Sequence, residues 1–198
     1  MDSFRRPLQF VIMLCIIIGC ASNIPDMVSS DQNKKGARLI AILPVNNLTA
    51  NVKAGLVLRG AVLDELYFKG YPKIPLNIID EKLAKVFKGD VDFKRANIPP
   101  KAMGELLGVD AVMYTTLKEC STSYNFIYAP TRISVVMELR SAKTGETLWN
   151  SKYGTVKRNY GISREQLEME SCQVFEPAIQ EVVEKAMKTF PDGPDSAT

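Results

Sequence analysis

The sequence predicts an α/β (α+β) sandwich, a mixed sheet of about five strands with helices packed on it. Three observations carry this prediction. Arg38 to Val45 is an almost continuous apolar run, the pattern of a strand buried on both faces. Phe126 to Arg140 alternates strictly and is followed by a hairpin signal at Lys143-Thr144-Gly145-Glu146. Two long stretches, Val52 to Lys69 and Leu167 to Phe190, repeat apolar residues at helical spacing. With 198 residues and 46% hydrophobic content, the chain suits one domain with a real core.

Taken in order, Arg38 to Val45 is the first strand, and Asn46-Asn47-Leu48-Thr49 turns the chain. The helix over Val52 to Lys69 sets Leu56, Leu63 and Tyr67 on one face and Leu58, Val62 and Leu66 on another, the pattern of a well-buried helix, with Gly70 as its C-terminal stop. Lys73 to Ile79 reads as a second strand, and Pro75 assigns it to an edge or a bulge. Asp80 caps a short helix over Glu81 to Phe87, and another helix runs from Pro99-Pro100 through Leu107. Ala111 to Lys118 is a third strand. Phe126 to Arg140 is the fourth, with Ile133, Val135, Met137 and Leu139 on one side and Ser134, Glu138 and Arg140 on the other. Thr147 to Lys157 returns antiparallel to it. Ser163-Arg164-Glu165-Gln166 fits a capping box opening the last helix, where Val174, Ala178, Val182, Ala186 and Phe190 recur and Pro177 predicts a kink or a new start. The organisation is a single domain over residues 38–190 and a frayed tail over residues 191–198.

The N-terminus carries the clearest functional signal. Arg5 and Arg6 precede nine uninterrupted apolar residues, Phe10 to Ile18, the pattern of a signal peptide over residues 1–19. The run is well short of the ~20 apolar residues of a membrane-spanning helix. It ends in Ile17-Ile18-Gly19-Cys20, which resembles the bacterial lipobox. The Cys20 thiol would take a diacylglyceryl group, cleavage would follow the small Gly19, and the new amine would take an N-acyl chain such as palmitate. Cys15 falls within the discarded segment. Two or three acyl chains, at ~0.8 kcal/mol per buried CH₂, suffice for stable anchoring. Ala21 and Ser22 follow, with no Asp at the first of these positions, which by resemblance to the enteric sorting rule directs the protein to the outer membrane. Ala21 to Ala37 is small, polar and aperiodic, so residues 20–37 read as a lipidated tether spanning roughly 20–25 Å as a coil.

Composition excludes several functions. There is no His, so the chain holds no Ser–His or Cys–His catalysis and no imidazole metal site. A net charge of +3 with mixed signs gives no footprint for nucleic acid. Asp64-Glu65 and Asp80-Glu81 are adjacent pairs that point apart, whereas acid–base work needs convergent carboxylates. Asp90 and Asp92 fall short of a calcium loop and read as solvated. Asn47-Leu48-Thr49 is a chance glycosylation match. Gly55 and Gly60 fit no phosphate-binding loop. No cofactor or metal is implied beyond the lipid on Cys20.

Two constellations leave alternatives open. Cys120 and Cys172 remain after processing in an oxidising compartment. A bridge would close a loop of about 50 residues and stabilise by about 4 kcal/mol in the chain-entropy picture; the alternative is two free thiols acting as small hydrophobes. Tyr124, Phe126 and Tyr128 alternate on one face of a strand, either as an aromatic patch for a protein partner or peptidoglycan or as core beneath a helix.

The lipobox, ARLIAILPVNN from Ala37, LGVDAVMYTTL at Leu107 to Leu117 and SAKTGETLWNSKY at Ser141 to Tyr153 resemble a family of bacterial lipoproteins of uncharacterised function that includes a genome-derived surface antigen. Its domain is similar to the N-terminal domain of TolB and the periplasmic domain of the curli secretion lipoprotein CsgG, and the penicillin-binding-protein activator LpoB has a related fold. The resemblance implies a non-enzymatic accessory or assembly role at the periplasmic face of the outer membrane, with envelope lipoproteins or secretion and wall-synthesis proteins as partners and no catalytic residues. No paired amphipathic segments of ~10 residues suggest a CsgG-like barrel. A peptidoglycan- or glycan-binding wall module, a small wall hydrolase and a self-associating structural protein are the alternative functions.

Overall fold

The computed structural model describes residues 37–87 and 99–196. The signal peptide, Cys15, Cys20, most of the tether, and Asp90 and Asp92 lie outside the described residues.

The predicted architecture is present: a five-stranded mixed sheet with helices on it. Strand β3 (Ala111–Thr122) is central to the β1-side edge, where β1 (Ile40–Ile42) pairs parallel with its start, Ile40 opposite Ala111, and β2 (Asn46–Asn47) pairs parallel further along, Asn46 opposite Thr116. The first predicted strand is therefore split into two, with Pro44, which has no N–H to donate, lying between the pieces. β4 (Tyr128–Ser141) and β5 (Thr147–Tyr160) complete an antiparallel meander in the order β1-β3-β4-β5. A bulge between Leu117 and Glu119 lets β3 run past its predicted end and keeps Cys120 opposite Ile133.

Two helices cover one face of the sheet. α1 (Val52–Phe68) and the last helix (Arg164–Ala186) bury Leu58, Val62, Leu66, Ile179, Val182 and Val183 against Met113, Leu117, Ile133, Val135 and Met137. Among the described residues the other face is covered only at one end. There α2 (Leu76–Phe87) and α3 (Pro100–Leu107) enclose Ala41, Leu43, Ile79, Leu83, Met103 and Val112. No other described element lies over the rest of that face: along β5 the even-numbered residues from Leu148 to Tyr160 are all exposed, while the odd-numbered ones from Trp149 onward turn toward the last helix, numbered α4.

Several expectations need correction. Lys73 to Ile79 is not a strand. α2 begins at Leu76 after Pro75, whose carbonyl accepts from Ile78 N–H at 3.1 Å, and Leu76, Ile79 and Leu83 give the 3–4 spacing of its buried side. The fifth strand of the sheet comes instead from the split of the first. Asp80 is not a cap; it lies inside α2 and receives Arg59. That arginine is only 6% exposed: its Nη1 donates to both Asp80 oxygens at 2.8 and 2.9 Å, while Nε and Nη2 donate to the Ile42 carbonyl at 3.3 and 2.9 Å, tying α1, α2 and β1 together. α1 is buried on one side only, since Leu56 and Tyr67 are exposed. Pro177 does not start a new helix: α4 continues through it, with Pro177 and Gln173 on its solvent side, where the carbonyl left without a donor faces water. The tail is pinned as far as Ser196: Gly193 N–H donates to the Lys69 carbonyl at 2.6 Å, Asp195 N–H to that of Gly70 at 3.1 Å, and Tyr71 packs edge-on against Phe190 at 5.7 Å. Gly70 follows α1 in the left-handed region, φ 84°, as its role as a stop requires.

The family-like motifs are structural devices. In Leu107-Gly108-Val109-Asp110, Gly108 closes α3 with φ 73°, and the Asp110 carboxylate accepts from Arg38 and Leu39 N–H at 3.0 and 3.1 Å, fixing the register of β1 on β3. In the hairpin, Ser141 Oγ accepts from Lys143 and Thr144 N–H at 3.2 Å and Gly145 takes φ 82°. Trp149 then stacks edge-on against Phe190, centroids 4.8 Å apart, and donates to Thr189 Oγ1 at 3.1 Å.

α3 rests on the same hairpin through Gly104, where an added Cβ would stand 2.5 Å from that of Ala142. Gly104→Ala is therefore expected to lower stability by about 1–2 kcal/mol in urea unfolding, overpacking outweighing the ~1 kcal/mol gain in helix propensity. A neutral or stabilising result would mean that α3 shifts freely.

Candidate functional site

The sequence singled out Tyr124, Phe126 and Tyr128, and the structure places them together at one tip of the sheet, though not as strand neighbours. β4 begins only at Tyr128, so Tyr124 and Phe126 belong to the β3–β4 loop. Their alternation there is a property of a tight turn: Asn125 N–H donates to the Tyr128 carbonyl at 2.9 Å and Ser123 N–H to that of Pro130 at 3.1 Å, with Phe126 at the apex. None of the three is core. Phe126 is 95% exposed, and Tyr124 and Tyr128 are exposed as well.

Residues distant in sequence complete the tip. Gly161 N–H donates to the Ile127 carbonyl at 3.1 Å, joining the β5–α4 connection to this loop. That brings in Tyr160, whose ring lies 6.3 Å from that of Tyr128, and Ile162, 94% exposed. Arg164, on the first turn of α4, stands 4.9 Å over the Tyr124 ring and pairs with Glu168 at 3.0 Å. The capping box forms as expected on its first half, with Ser163 Oγ accepting from Gln166 N–H at 3.2 Å; its return bond reaches Ile162 N–H at 3.2 Å and so fixes the connection that carries Ile162. Ile162 and Tyr160 were invisible as site residues, because only the β3–β4 loop's pairing with residue 161 makes them neighbours of Phe126.

The tip stands at the far end of the sheet from the chain's entry. β1 starts beside Ala111, whereas the loop follows Thr122, about 35 Å along β3 at ~3.3 Å per residue. It offers apolar area, three tyrosine hydroxyls and one cation–π pair. Fully burying Phe126 or Ile162 against a partner is worth about 1.5–3 kcal/mol each.

Among the described residues no cluster of three or more His, Cys, Asp or Glu side chains is placed to hold a metal, and no helix is long and apolar enough to cross a membrane. Of the carboxylate pairs, Asp64 accepts from Lys73 at 2.8 Å and Asp80 from Arg59, so each serves an ion pair. Cys120 and Cys172 are both free thiols in the structure, Cys120 half-buried at the edge of the core and Cys172 exposed on α4. Burial pushes the Cys120 thiol up to about 11, which leaves it protonated and unreactive at neutral pH.

The helix side of the domain carries a titrating cluster. Glu181 lies between Lys157 of β5 and Lys185 of α4, which hold its carboxyl down at about 2. A carboxylate depressed in the fold stabilises above its unfolded value near 4.5, and that contribution is lost as pH falls from there toward 2. Glu138, held low chiefly by Arg140, acts in the same direction. With no His, denaturation midpoints are expected to stay level between about pH 6 and 8 and to drop below about pH 4.5. Glu181→Gln should shallow the acid drop; an identical acid profile in that variant would refute the assignment.

The fold is that of a small α/β domain with an exposed aromatic tip, and comparisons with known proteins place it in a family. The family described as "Putative lipoprotein GNA1162-like" matches residues 29–195, and the chain belongs to it. A curated relative from Neisseria meningitidis serogroup B, "Putative lipoprotein NMB1124/NMB1162", is 26% identical over 141 residues, 68% of this chain; the match spans 63% of the relative's length. The crystal structure of lipoprotein GNA1162 from Neisseria meningitidis aligns with 22% identity and a TM-score of 0.56, over 68% of this chain and 93% of that one. The LpoB C-terminal domain from Salmonella enterica aligns with 21% identity and a TM-score of 0.39, over 60% and 83% of the two chains.

Proposed function

We propose that this chain is a lipid-anchored lipoprotein of the bacterial outer membrane, facing the periplasm, that works without catalysis as an accessory or assembly factor by docking other envelope proteins. Diacylglyceryl and N-acyl chains on Cys20 hold it to the membrane. The single observation that carries the docking role is the exposed tip of Tyr124, Phe126, Tyr128, Tyr160 and Ile162, presented at the opposite end of the sheet from the tether's entry. Membership of a lipoprotein family and the lipobox support the anchoring half of the reading. A compact patch of exposed aromatic and aliphatic side chains is the composition of an interface hot spot.

The test is an affinity pull-down of the natively lipidated protein from crosslinked cells, compared with a Phe126→Ser, Ile162→Ser double variant. Both side chains are exposed, so the variant should fold with an unchanged melting temperature. It should lose about 3 kcal/mol or more of binding, above a hundredfold in Kd, and fail to recover envelope proteins. Equal recovery by both proteins would refute the tip as the docking surface. Recovery of wall glycan fragments alone would favour a wall-binding module.

A further inference from the structure

β5 is the outer strand of the sheet, and among the described residues nothing pairs with its second edge. It is 14 residues long, well above the usual edge strand, so its unpaired backbone offers a long template. The register identifies which groups are free. The Gly161 bond to Ile127 makes that pair hydrogen-bonded, and alternate pairs along the ladder follow, Asn159 with Ala129 and Lys157 with Thr131. The N–H and C=O groups of Lys152, Gly154, Val156 and Arg158 therefore point outward, away from β4.

Of these, Lys152, Val156 and Arg158 place their side chains on the uncovered face of the sheet, where they are exposed. The strand is strongly one-signed: Thr147 to Tyr160 holds Lys152, Lys157 and Arg158 and not one carboxylate. Lys157 points to the helix side and is neutralised by Glu181. Lys152 and Arg158 have no ion-pair partner among the described residues. Arg132, opposite Val156 on β4, extends the positive charge and makes one weak bond to Ser123 Oγ at 3.5 Å.

This charge favours an acidic occupant over a second copy paired symmetrically about Thr155. A second copy pairing antiparallel about Thr155 would set Lys152 of each chain against Arg158 of the other, and like charges directly opposite destabilise a ladder. An extended segment with carboxylates at alternate positions would set them along the open face, where those opposite Lys152 and Arg158 pair with both cations, and would turn its intervening residues to the helix side. We propose that the outer edge of β5 docks an extended acidic segment of a partner protein, which adds to the sheet as a further strand. Main-chain bonds to Lys152, Gly154, Val156 and Arg158 supply affinity, and the two unpaired cations select the sign. The inference stands on the β5 edge and its neighbouring charge, and its test uses Lys152 and Arg158, which are not part of the aromatic tip.

The experiment measures fluorescence anisotropy of a labelled ten-residue peptide alternating Glu with Thr and Val, titrated with the full chain in detergent micelles. Two further peptides carry Lys for Glu, or an N-methyl group on every residue. The acidic peptide is expected to bind at least tenfold more tightly than the basic one, and Lys152→Glu with Arg158→Glu to reverse that preference. N-methylation should weaken binding at least tenfold, and the amides of Lys152, Gly154, Val156 and Arg158 should exchange fast in the free chain and slowly with peptide. Equal binding of the N-methylated peptide would reduce the effect to charge attraction and overturn strand addition. Equal affinity for both charge signs would overturn the acidic partner, and a dimer of the free chain with those amides already protected would put a second copy on the edge instead.

Discussion

Asp80→Ala should destabilise the domain by about 2 kcal/mol, less than for a fully buried pair because the Asp80 carboxylate is half exposed, lowering its melting temperature by roughly 4–8 °C. Arg59 is almost fully buried, and its guanidinium finds its only carboxylate among the described residues in the bidentate contact with Asp80. Removing Asp80 leaves the arginine's two bonds to the Ile42 carbonyl but strands its charge between α1, α2 and β1. The cost comes from that uncompensated charge rather than from the pair itself, whose Coulomb gain and desolvation nearly cancel. Adding Arg59→Met to Asp80→Ala should therefore lose no more stability than Asp80→Ala alone. Urea denaturation of the three variants checks both statements; additive losses would show that the two residues act independently.

Cys20→Ala carries the other large effect. With no thiol to alkylate, the precursor should accumulate uncut with residues 1–19 attached, and the protein should lack its acyl anchor. Each acyl chain contributes ~0.8 kcal/mol per buried methylene, so the change is effectively all or none. The measurement is the mass of the protein from the membrane fraction and its partition into detergent. Normal processing and full membrane retention in the variant would refute lipid attachment at Cys20.

What the sequence made legible was decided by how local each signal is. The meander was readable because alternation in Ile133, Val135, Met137 and Leu139 and the turn at Gly145 each specify their structure within a few residues. Lys73 to Ile79 reads as an edge or bulged strand when Pro75 is fitted into it, whereas Pro75 stands just before a helix whose periodicity spans Leu76, Ile79 and Leu83. Leu56 and Tyr67 looked buried because helical spacing reports an apolar face without reporting whether another element covers it. The docking of the tail onto Lys69 and Gly70 depends on contacts across more than 120 residues, for which no local pattern exists. The same holds for the tip: Tyr124, Phe126 and Tyr128 were visible as aromatics, but their exposure and their union with Tyr160 and Ile162 are consequences of tertiary pairing alone.

The opposite charges of the two sheet faces add a physical frame. α4 carries Glu165, Glu168, Glu176 and Glu184 on its exposed side, whereas the open face of the sheet holds Arg132, Lys152 and Arg158. An apolar tip and a basic edge strand lie at different places on the domain, so the two proposed docking surfaces use different chemistry.

The central claim is that Phe126 meets a partner protein in the envelope. The most direct measurement places a photo-crosslinking amino acid at position 126 in the lipidated protein in living cells, with position 101 on α3 as the exposed control. Irradiation should give discrete adducts with envelope proteins from position 126 and none from position 101. Adducts from position 101 as abundant as those from position 126, or no protein adduct at all, would contradict the account.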